Sequence, residues 1–205
     1  MKVCLFDCGG VIYPYSLTPF KKWLAKKSNQ STYSFQWKEL MTGEISFSSF
    51  VKNVCQQTNI QYSLKIQKEI EDSLLKGMGP VYPQTKELMH YLESKNIKMG
   101  LLSNALPNFE GTLDGLPFSK ELMFPSYQLG LLKPDKRIFS AVLKKMNLNA
   151  KDVLFIDDKL ENVKAALDVG MKSFVFQKET AFENLKKITG EKNVGYIGCR
   201  RCHCR

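Results

Sequence analysis

The fold of this protein is decided by the stretch Val3-Cys4-Leu5-Phe6-Asp7-Cys8-Gly9-Gly10-Val11-Ile12, in which an apolar run leads to one carboxylate and two glycines. An apolar run without strict alternation is typical of a strand covered on both faces, as in the middle of a parallel sheet. Gly9 and Gly10 break the strand and let the backbone turn closely around whatever lies at its end. Ligands bind outside the carboxyl ends of such strands, so Asp7 is a candidate for chemistry. A turn-capping role for Asp7 is equally compatible with this stretch alone.

Strand patterns return in the second part of the chain and alternate with amphipathic helical patterns. The predicted strands are Ile97 to Ser103, Leu122 to Phe124, Val153 to Asp157 and Ser173 to Gln177. Alternation of apolar strands with helices predicts an α/β fold, a doubly wound parallel sheet with a Rossmann-like core.

Residues 18–76 differ in character, because they give a series of helical patterns and no convincing strand. Thr18 is expected to cap the first of these helices, and Ser46 begins a later one. Short amphipathic helices in sequence predict a small bundle inserted after the first strand. We therefore expect an α/β core domain formed by residues 1–14 and 80–190, and a helical cap formed by residues 15–79.

The chain carries a net charge of +10, which favours anionic ligands without naming one. Its basic residues are dispersed and no nucleic-acid motif accompanies them, so we expect no nucleic-acid partner. No apolar run approaches the ~20 residues of a membrane span, and no signal-peptide pattern is present. We expect a cytoplasmic protein without membrane contact, and the sequence does not indicate its oligomeric state.

The six cysteines do not form a convincing disulfide framework. Cys4 and Cys8 on the first strand are interpreted as small buried hydrophobic residues. The end of the chain, Cys199-Arg-Arg-Cys202-His203-Cys204-Arg205, matches a C-x-x-C-H pattern but lacks a second cysteine pair. We expect residues 191–205 to form a basic, cysteine-rich, disordered tail, with opportunistic metal binding as the alternative.

Polar groups follow three of the predicted strands, and a lysine precedes a helix. They are Asp7, then Ser103 and Asn104, then Asp157 and Asp158, and finally Lys133 before Pro134. Parallel strands place their carboxyl ends at one edge of a sheet, so these groups can converge there. Singly, each has an ordinary explanation: a loop cap, a solvated charge or a helix cap. Together the carboxylates make an oxygen-rich site suited to Mg²⁺.

The same residues, in the same order, resemble the four motifs of the haloacid dehalogenase-like hydrolase superfamily. The motifs are Phe6-Asp7-x-Gly9-Gly10-Val11, Leu102-Ser103-Asn104, Lys133-Pro134-Asp135 and Phe155-Ile156-Asp157-Asp158-x-x-x-Asn162. The helical insert resembles that family's small cap. Gly43-Glu44-Ile45-Ser46 is similar to the sugar-phosphate phosphatase branch typified by bacterial α-glucose-1-phosphatase.

The resemblance implies a Mg²⁺-dependent phosphatase that acts on a small phosphorylated metabolite, a sugar phosphate in the branch named. Asp7 would be the nucleophile and form an aspartyl-phosphate. Ser103 and Lys133 would take part in catalysis, and together with Asn104 they would bind the substrate. The implied metal ligands are Asp7, Gly9, Asp157 and Asp158. Asn162 would orient the pair of aspartates.

One position departs from the family's pattern. Most phosphatases of the superfamily carry an acid–base aspartate two residues after the nucleophile, where this chain has Gly9. General acid–base help is worth about 10²- to 10⁴-fold, and Tyr13, Tyr15 and Glu44 are weak candidates to replace it. Two alternatives to the phosphatase stay open: a catalytically weak phosphate-binding or regulatory protein and, with less support, a haloacid dehalogenase.

Overall fold

A computed structural model of the chain describes residues 1–28, 32–107 and 109–190. The tail formed by residues 191–205, with its three cysteines, lies outside the described residues.

The described residues contain one sheet of five parallel strands, which confirms the predicted fold class. The strands are β1 (Val3–Phe6), β2 (Lys98–Ser103), β3 (Met123–Pro125), β4 (Val153–Asp157) and β5 (Lys172–Val175). Their order in the sheet is β3-β2-β1-β4-β5. The carboxyl end of β1 therefore opens between those of β2 and β4. The sequence predicted β4 correctly and placed β2 and β5 within one or two residues.

The segment that follows β1 is helical, as expected. Its helices are α1 (Thr18–Lys27), α2 (Trp37–Met41), α3 (Phe47–Thr58) and α4 (Leu64–Leu75). Phe20, Leu40, Phe50 and Ile70 are buried in a hydrophobic cluster that these helices share. The cluster gives the insert a core of its own, and we refer to α1–α4 as the cap.

The helix starts of the cap agree with the sequence at one position and differ at another. Ser46 caps α3, because its Oγ accepts the N–H of Ser49 at 3.1 Å. Thr18 does not cap α1; the helix already begins there, and the Thr18 N–H donates to Ser16 Oγ at 3.1 Å. A hydroxyl two residues upstream thus satisfies the first donor of α1.

Five further helices of the described residues belong to the α/β part. They are α5 (Pro83–Ser94), α6 (Ser126–Leu129), α7 (Lys136–Met146), α8 (Leu160–Asp168) and α9 (Ala181–Thr189). Alternate residues of β1 face opposite sides of the sheet. Cys4 and Phe6 pack in a cluster with residues of α5 and α9, whereas Val3 and Leu5 pack with residues of α7 and α8. Burial on both faces explains the uninterrupted apolar run of β1.

The two connections between the cap and the sheet run side by side. The Ser16 N–H donates to the Gly77 carbonyl at 2.9 Å, and the Gly79 N–H donates to the Pro14 carbonyl at 3.0 Å. A side chain at residue 77 would overlap the Ser16 carbonyl, so glycine permits this close approach. The pairing fixes where the cap begins relative to the end of β1.

A buried serine joins the cap to the sheet at a second place. Ser126 Oγ donates to the Met41 carbonyl of α2 at 2.7 Å and accepts the Ala105 N–H at 3.1 Å. Leu106, from the loop after β2, packs against the hydrophobic cluster of the cap. These contacts hold the cap over the carboxyl ends of the strands.

None of the helices described is long and apolar enough to traverse a bilayer.

Candidate active site

Asp7 lies directly after β1, and its carboxylate is held through one oxygen. The Asp7 N–H donates to the Ile156 carbonyl of β4 at 2.8 Å, which anchors the backbone. Oδ1 accepts hydrogen bonds from Ser103 Oγ at 2.8 Å and Lys133 Nζ at 2.6 Å. Among the described residues these two side chains are the ones that bind the carboxylate, and both bind Oδ1. Oδ2 is therefore the oxygen available to attack a substrate.

Lys133 is a buried cation and not a solvated charge. Its ammonium donates to Asp7 Oδ1, to Asp157 Oδ2 at 2.7 Å and to the Leu102 carbonyl at 2.9 Å. Burial disfavours the charged form, but the attraction of Asp7 and Asp157 outweighs it, so the pKa of Lys133 lies above its usual value. The ammonium uses all three of its N–H groups, so a bound phosphoryl oxygen has to replace one of these acceptors.

Asn104 grips the backbone of Lys133 at two points. Its Nδ2 donates to the Lys133 carbonyl and its Oδ1 accepts the Lys133 N–H, both at 2.9 Å. The sequence predicted that Asn104 binds substrate. In the structure both its amide nitrogen and its amide oxygen are hydrogen-bonded to the Lys133 backbone. We expect it to act on the substrate through that lysine.

Asp157 is completely buried at the end of β4, and both of its oxygens accept hydrogen bonds. Besides the bond from Lys133, Oδ1 accepts the Lys159 N–H at 2.8 Å, and Asn162 Nδ2 lies 3.0 and 2.9 Å from Oδ1 and Oδ2. Since a carboxylate only accepts, the amide nitrogen of Asn162 must face it. Asn162 Oδ1 is then buried without a hydrogen-bond partner in the described part of the chain.

Asp158 lies against Gly10 at the edge of the same group. Gly10 has a φ of +86°, and a Cβ there would overlap the Asp158 carboxylate. Removal of water from one side of this carboxyl and then the negative charges of Asp7 and Asp157 raise the pKa of Asp158 to about 6. The site thus gathers more negative charge than Lys133 neutralises.

The donor set fits a magnesium ion. Asp7, Asp157 and Asp158 each offer an oxygen, and these oxygens lie within 4.8 Å of one another. Such hard ligands suit Mg²⁺, which keeps several waters in its coordination shell. The unpartnered Asn162 Oδ1 is an acceptor for such a water. The oxygens of Asp157 are already engaged, so Asp7, Asp158 and the Gly9 carbonyl are the expected direct ligands, with Asp157 beside them.

The three side chains named as weak candidates to replace the acid–base group differ in position. Tyr13 is buried, with its hydroxyl 2.8 Å from Cys8 Sγ, and burial raises its pKa. Glu44 accepts a hydrogen bond within its own loop and does not line the cavity over Asp7. Tyr15 lies over Gly9, where an added Cβ would be 3.2 Å from the Tyr15 Cβ. Tyr15 thus fills part of the space where the family's acid–base side chain would stand.

A cavity of about 600 Å³ opens over Asp7, between the cap and the strand ends. The sequence did not identify its apolar wall, which includes Trp37, Met41, Phe47, Leu75, Leu106 and Phe109. Residues of this kind at helical spacing also predict an ordinary core, so the pattern gives no separate signal for a ligand cavity.

The class of protein follows from a family model as well as from this geometry. A model described as haloacid dehalogenase-like hydrolase matches residues 1–170. The chain belongs to this family of hydrolases, as its motifs indicated.

The chain is also similar to proteins of known name over most of its length. It is 27% identical over 176 residues to the sesquiterpene phosphatase astK of Aspergillus oryzae, covering 83% of this chain and 87% of that protein. It is 25% identical over 214 residues to drimenol cyclase drtB of Aspergillus calidoustus, covering 98% of this chain but 39% of that protein. A HAD family enzyme of Bacteroides thetaiotaomicron, solved with magnesium and inorganic phosphate, superposes with a TM-score of 0.72 at 20% identity, over 87% of this chain and 95% of that one. The last likeness shows the fold.

Proposed function

We propose that the protein is a Mg²⁺-dependent phosphatase that hydrolyses a phosphate monoester through an aspartyl-phosphate on Asp7. The observation that carries this proposal is the state of the Asp7 carboxylate. Ser103 and Lys133 hold Oδ1, while Oδ2 remains without a partner in the described chain. A relative named as a phosphatase and a structural neighbour solved with magnesium and phosphate support the same reaction class.

In the first step Asp7 Oδ2 attacks phosphorus, and an acyl phosphate bond forms as the bond from phosphorus to the ester oxygen breaks. That oxygen leaves with the electron pair and takes its proton from solvent, since residue 9 has no side chain to supply one. Ser103 Oγ and Lys133 Nζ lie beside the attacking carboxylate and are placed to turn toward the phosphoryl oxygens. A bound Mg²⁺ supplies positive charge that offsets the repulsion between the phosphate and the carboxylates.

In the second step water attacks phosphorus and passes a proton to solvent, the bond from phosphorus to Asp7 Oδ2 breaks, and inorganic phosphate and the Asp7 carboxylate are released. In the free site the buried Lys133 is charged, because Asp7 and Asp157 hold its pKa above the usual value. Asn104 keeps that ammonium in place through the backbone of Lys133. The residues therefore divide into one nucleophile, two groups for the phosphoryl oxygens and a set that positions them.

Phosphate release from p-nitrophenyl phosphate in the presence of Mg²⁺ tests the proposal. We expect release to stop on chelation and to fall by about 10³-fold or more in Asp7→Asn, because an amide is a poor nucleophile. Asp168→Asn is the matched control, since Asp168 forms an exposed ion pair with Lys136 far along α8. Undiminished turnover in Asp7→Asn would refute the proposal.

Gly9 favours a second candidate, a protein that binds phosphate esters with little turnover. Tyr15 lies against Gly9, with its Cβ 3.2 Å from where a Cβ at residue 9 would stand, so a side chain at that position would press on this tyrosine. The two functions differ in turnover number and not in ligand, so the same assay separates them.

A further inference from the structure

We propose that the organic part of the substrate is a hydrocarbon or aromatic group and not a polyhydroxylated sugar. This inference rests on the proposed function for the phosphate end of the ligand and concerns what the rest of the cavity accepts. It departs from the sugar phosphate that the sequence suggested.

The cavity is polar at one end and apolar along its wall. Asp7, Ser103, Lys133 and Asp158 lie together at the end of the strands, where the phosphate would bind. The other side chains that line the cavity are mostly apolar and include Trp37, Met41, Phe47, Leu75, Leu106 and Phe109. An ester bound by its phosphate therefore directs its organic group toward apolar side chains.

Three of the polar side chains elsewhere in the lining are engaged with other partners, whereas Tyr15, Tyr82 and Lys159 also line the cavity. The Glu71 carboxylate pairs with Lys68 at 3.3 Å, and the Tyr13 hydroxyl contacts Cys8 Sγ. Asn104 uses both of its side-chain groups on Lys133. A sugar hydroxyl placed against the apolar side chains of the wall would be buried without a partner, at a cost of about tenfold in affinity for each such hydroxyl.

Two apolar side chains of the wall do not pack in a hydrophobic core of the described residues. Met41, at the end of α2, and Leu75, at the end of α4, are half-buried and line the cavity. In the described part of the chain neither belongs to any of the three hydrophobic clusters. An apolar ligand would cover both side chains and remove their surface from water.

Binding of n-alkylphosphonates from methyl to hexyl, measured by calorimetry with Mg²⁺ present, tests the inference without requiring turnover. We expect the dissociation constant to fall about two- to fourfold for each methylene, the range for partial to full burial of a CH₂ group. Hexyl phosphate should bind at least about tenfold more tightly than glucose 6-phosphate, a matched pair of six-carbon primary esters. A flat series, or tighter binding of glucose 6-phosphate, would overturn the inference.

Matched variants on one helix locate the effect. Leu75→Gln should reduce the gain per methylene, whereas Leu64→Gln, which changes a 77% exposed residue at the start of the same helix, should leave it unchanged. If Leu75→Gln does not fold, the gain in affinity per methylene can be measured in Met41→Gln, which changes the wall from another helix. Equal gains in Leu75→Gln, Met41→Gln and the unaltered protein would contradict the assignment of the wall.

Hydrolysis of p-nitrophenyl phosphate, measured in parallel, separates this inference from the proposed function. Hydrolysis together with a dissociation constant that does not change along the phosphonate series would support the phosphatase proposal and refute the inference of an apolar substrate. A rising series without hydrolysis refutes the phosphatase and supports the apolar ligand class.

Discussion

Asp158 is the residue whose charge should govern metal binding near neutral pH. Its pKa is raised to about 6, so a proton competes with Mg²⁺ for this carboxylate below that pH. We expect the apparent Mg²⁺ affinity to fall about tenfold per pH unit below pH 6 and to level off above about pH 7. Calorimetric titrations from pH 5 to pH 8 measure this.

Asp158→Asn is the control for that titration, since it cannot take up a proton in this range and should remove the pH dependence while weakening binding. In the metal-free protein the pH dependence of folding stability runs in the opposite direction from that of Mg²⁺ affinity. A raised pKa means that Asp158 contributes stability fully below its ordinary value of 3.8, and that this contribution is lost as the pH rises through about 6. Mg²⁺ affinity that does not change between pH 5 and pH 7 would contradict this account.

Gly9 should make turnover depend strongly on the leaving group. Without a general acid, an ester of a weakly acidic alcohol or phenol loses the help worth about 10²- to 10⁴-fold. We expect kcat/KM to fall by about 10²-fold or more from p-nitrophenyl phosphate to phenyl phosphate. Similar values for the two esters would show that another group donates the proton.

The double variant Gly9→Asp with Tyr15→Ala should reduce the difference in kcat/KM between p-nitrophenyl phosphate and phenyl phosphate. The double variant Gly9→Ala with Tyr15→Ala is the matched control and should not reduce it. The tyrosine change is needed because a Cβ at residue 9 would lie 3.2 Å from the Tyr15 Cβ, closer than ordinary contact.

The site residues differ in how far their surroundings could be predicted. The sequence placed Asp7, Ser103 and Asp157 at strand ends, and topology alone brings such ends together. It could not show that Lys133 is buried, since a lysine beside a proline is usually solvated. The pair of hydrogen bonds between Asn104 and the Lys133 backbone depends on how two loops meet, which no local pattern encodes.

Among the elements, the cap has a core whose energetics can be tested separately from the active site. Phe50 on α3 is fully buried and contacts the rings of Phe35, Trp37 and Phe47. Phe50→Ala should lower the free energy of unfolding by about 3–5 kcal/mol, because it removes a buried ring and leaves a cavity. Urea denaturation measures the change.

Leu64→Ala on α4 is the control for Phe50→Ala and should shift the free energy of unfolding by less than about 0.5 kcal/mol, since Leu64 is 77% exposed. A cost below about 1 kcal/mol for Phe50→Ala would mean that the cap cluster does not contribute to global stability.

Element types were more predictable than element ends. The apolar run of β1 and the alternation after residue 80 reflect burial on the two faces of a sheet, a property that sequence carries directly. The start of α1 depends instead on the Ser16 hydroxyl, which accepts a hydrogen bond from the Thr18 N–H. The helix therefore begins one residue before the predicted start.

At the scale of the whole molecule, the cavity results from placing one element on another. The side-by-side connections at Ser16 and Gly77 and the Ser126 contact to Met41 hold the cap above the strand ends. Trp37 and Phe47 belong to the cap core and also line the cavity, whereas Met41 and Leu75 line the cavity alone. Sequence patterns report that a residue is apolar, but not which of the two surfaces it faces, so the chemistry of the cavity required the structure.

Trapping the covalent intermediate tests most directly the claim that Asp7 bonds to phosphorus. Since residue 9 cannot activate water, the aspartyl-phosphate should be long-lived enough to accumulate when p-nitrophenyl phosphate and Mg²⁺ are mixed with the protein. Acid quenching, borohydride reduction and peptide mass spectrometry then locate the acyl phosphate as homoserine. We predict homoserine in place of Asp7 in the substrate-treated protein and in no sample of Asp7→Asn. Homoserine at another carboxylate, or continued turnover with Asp7 unmodified, would contradict the account.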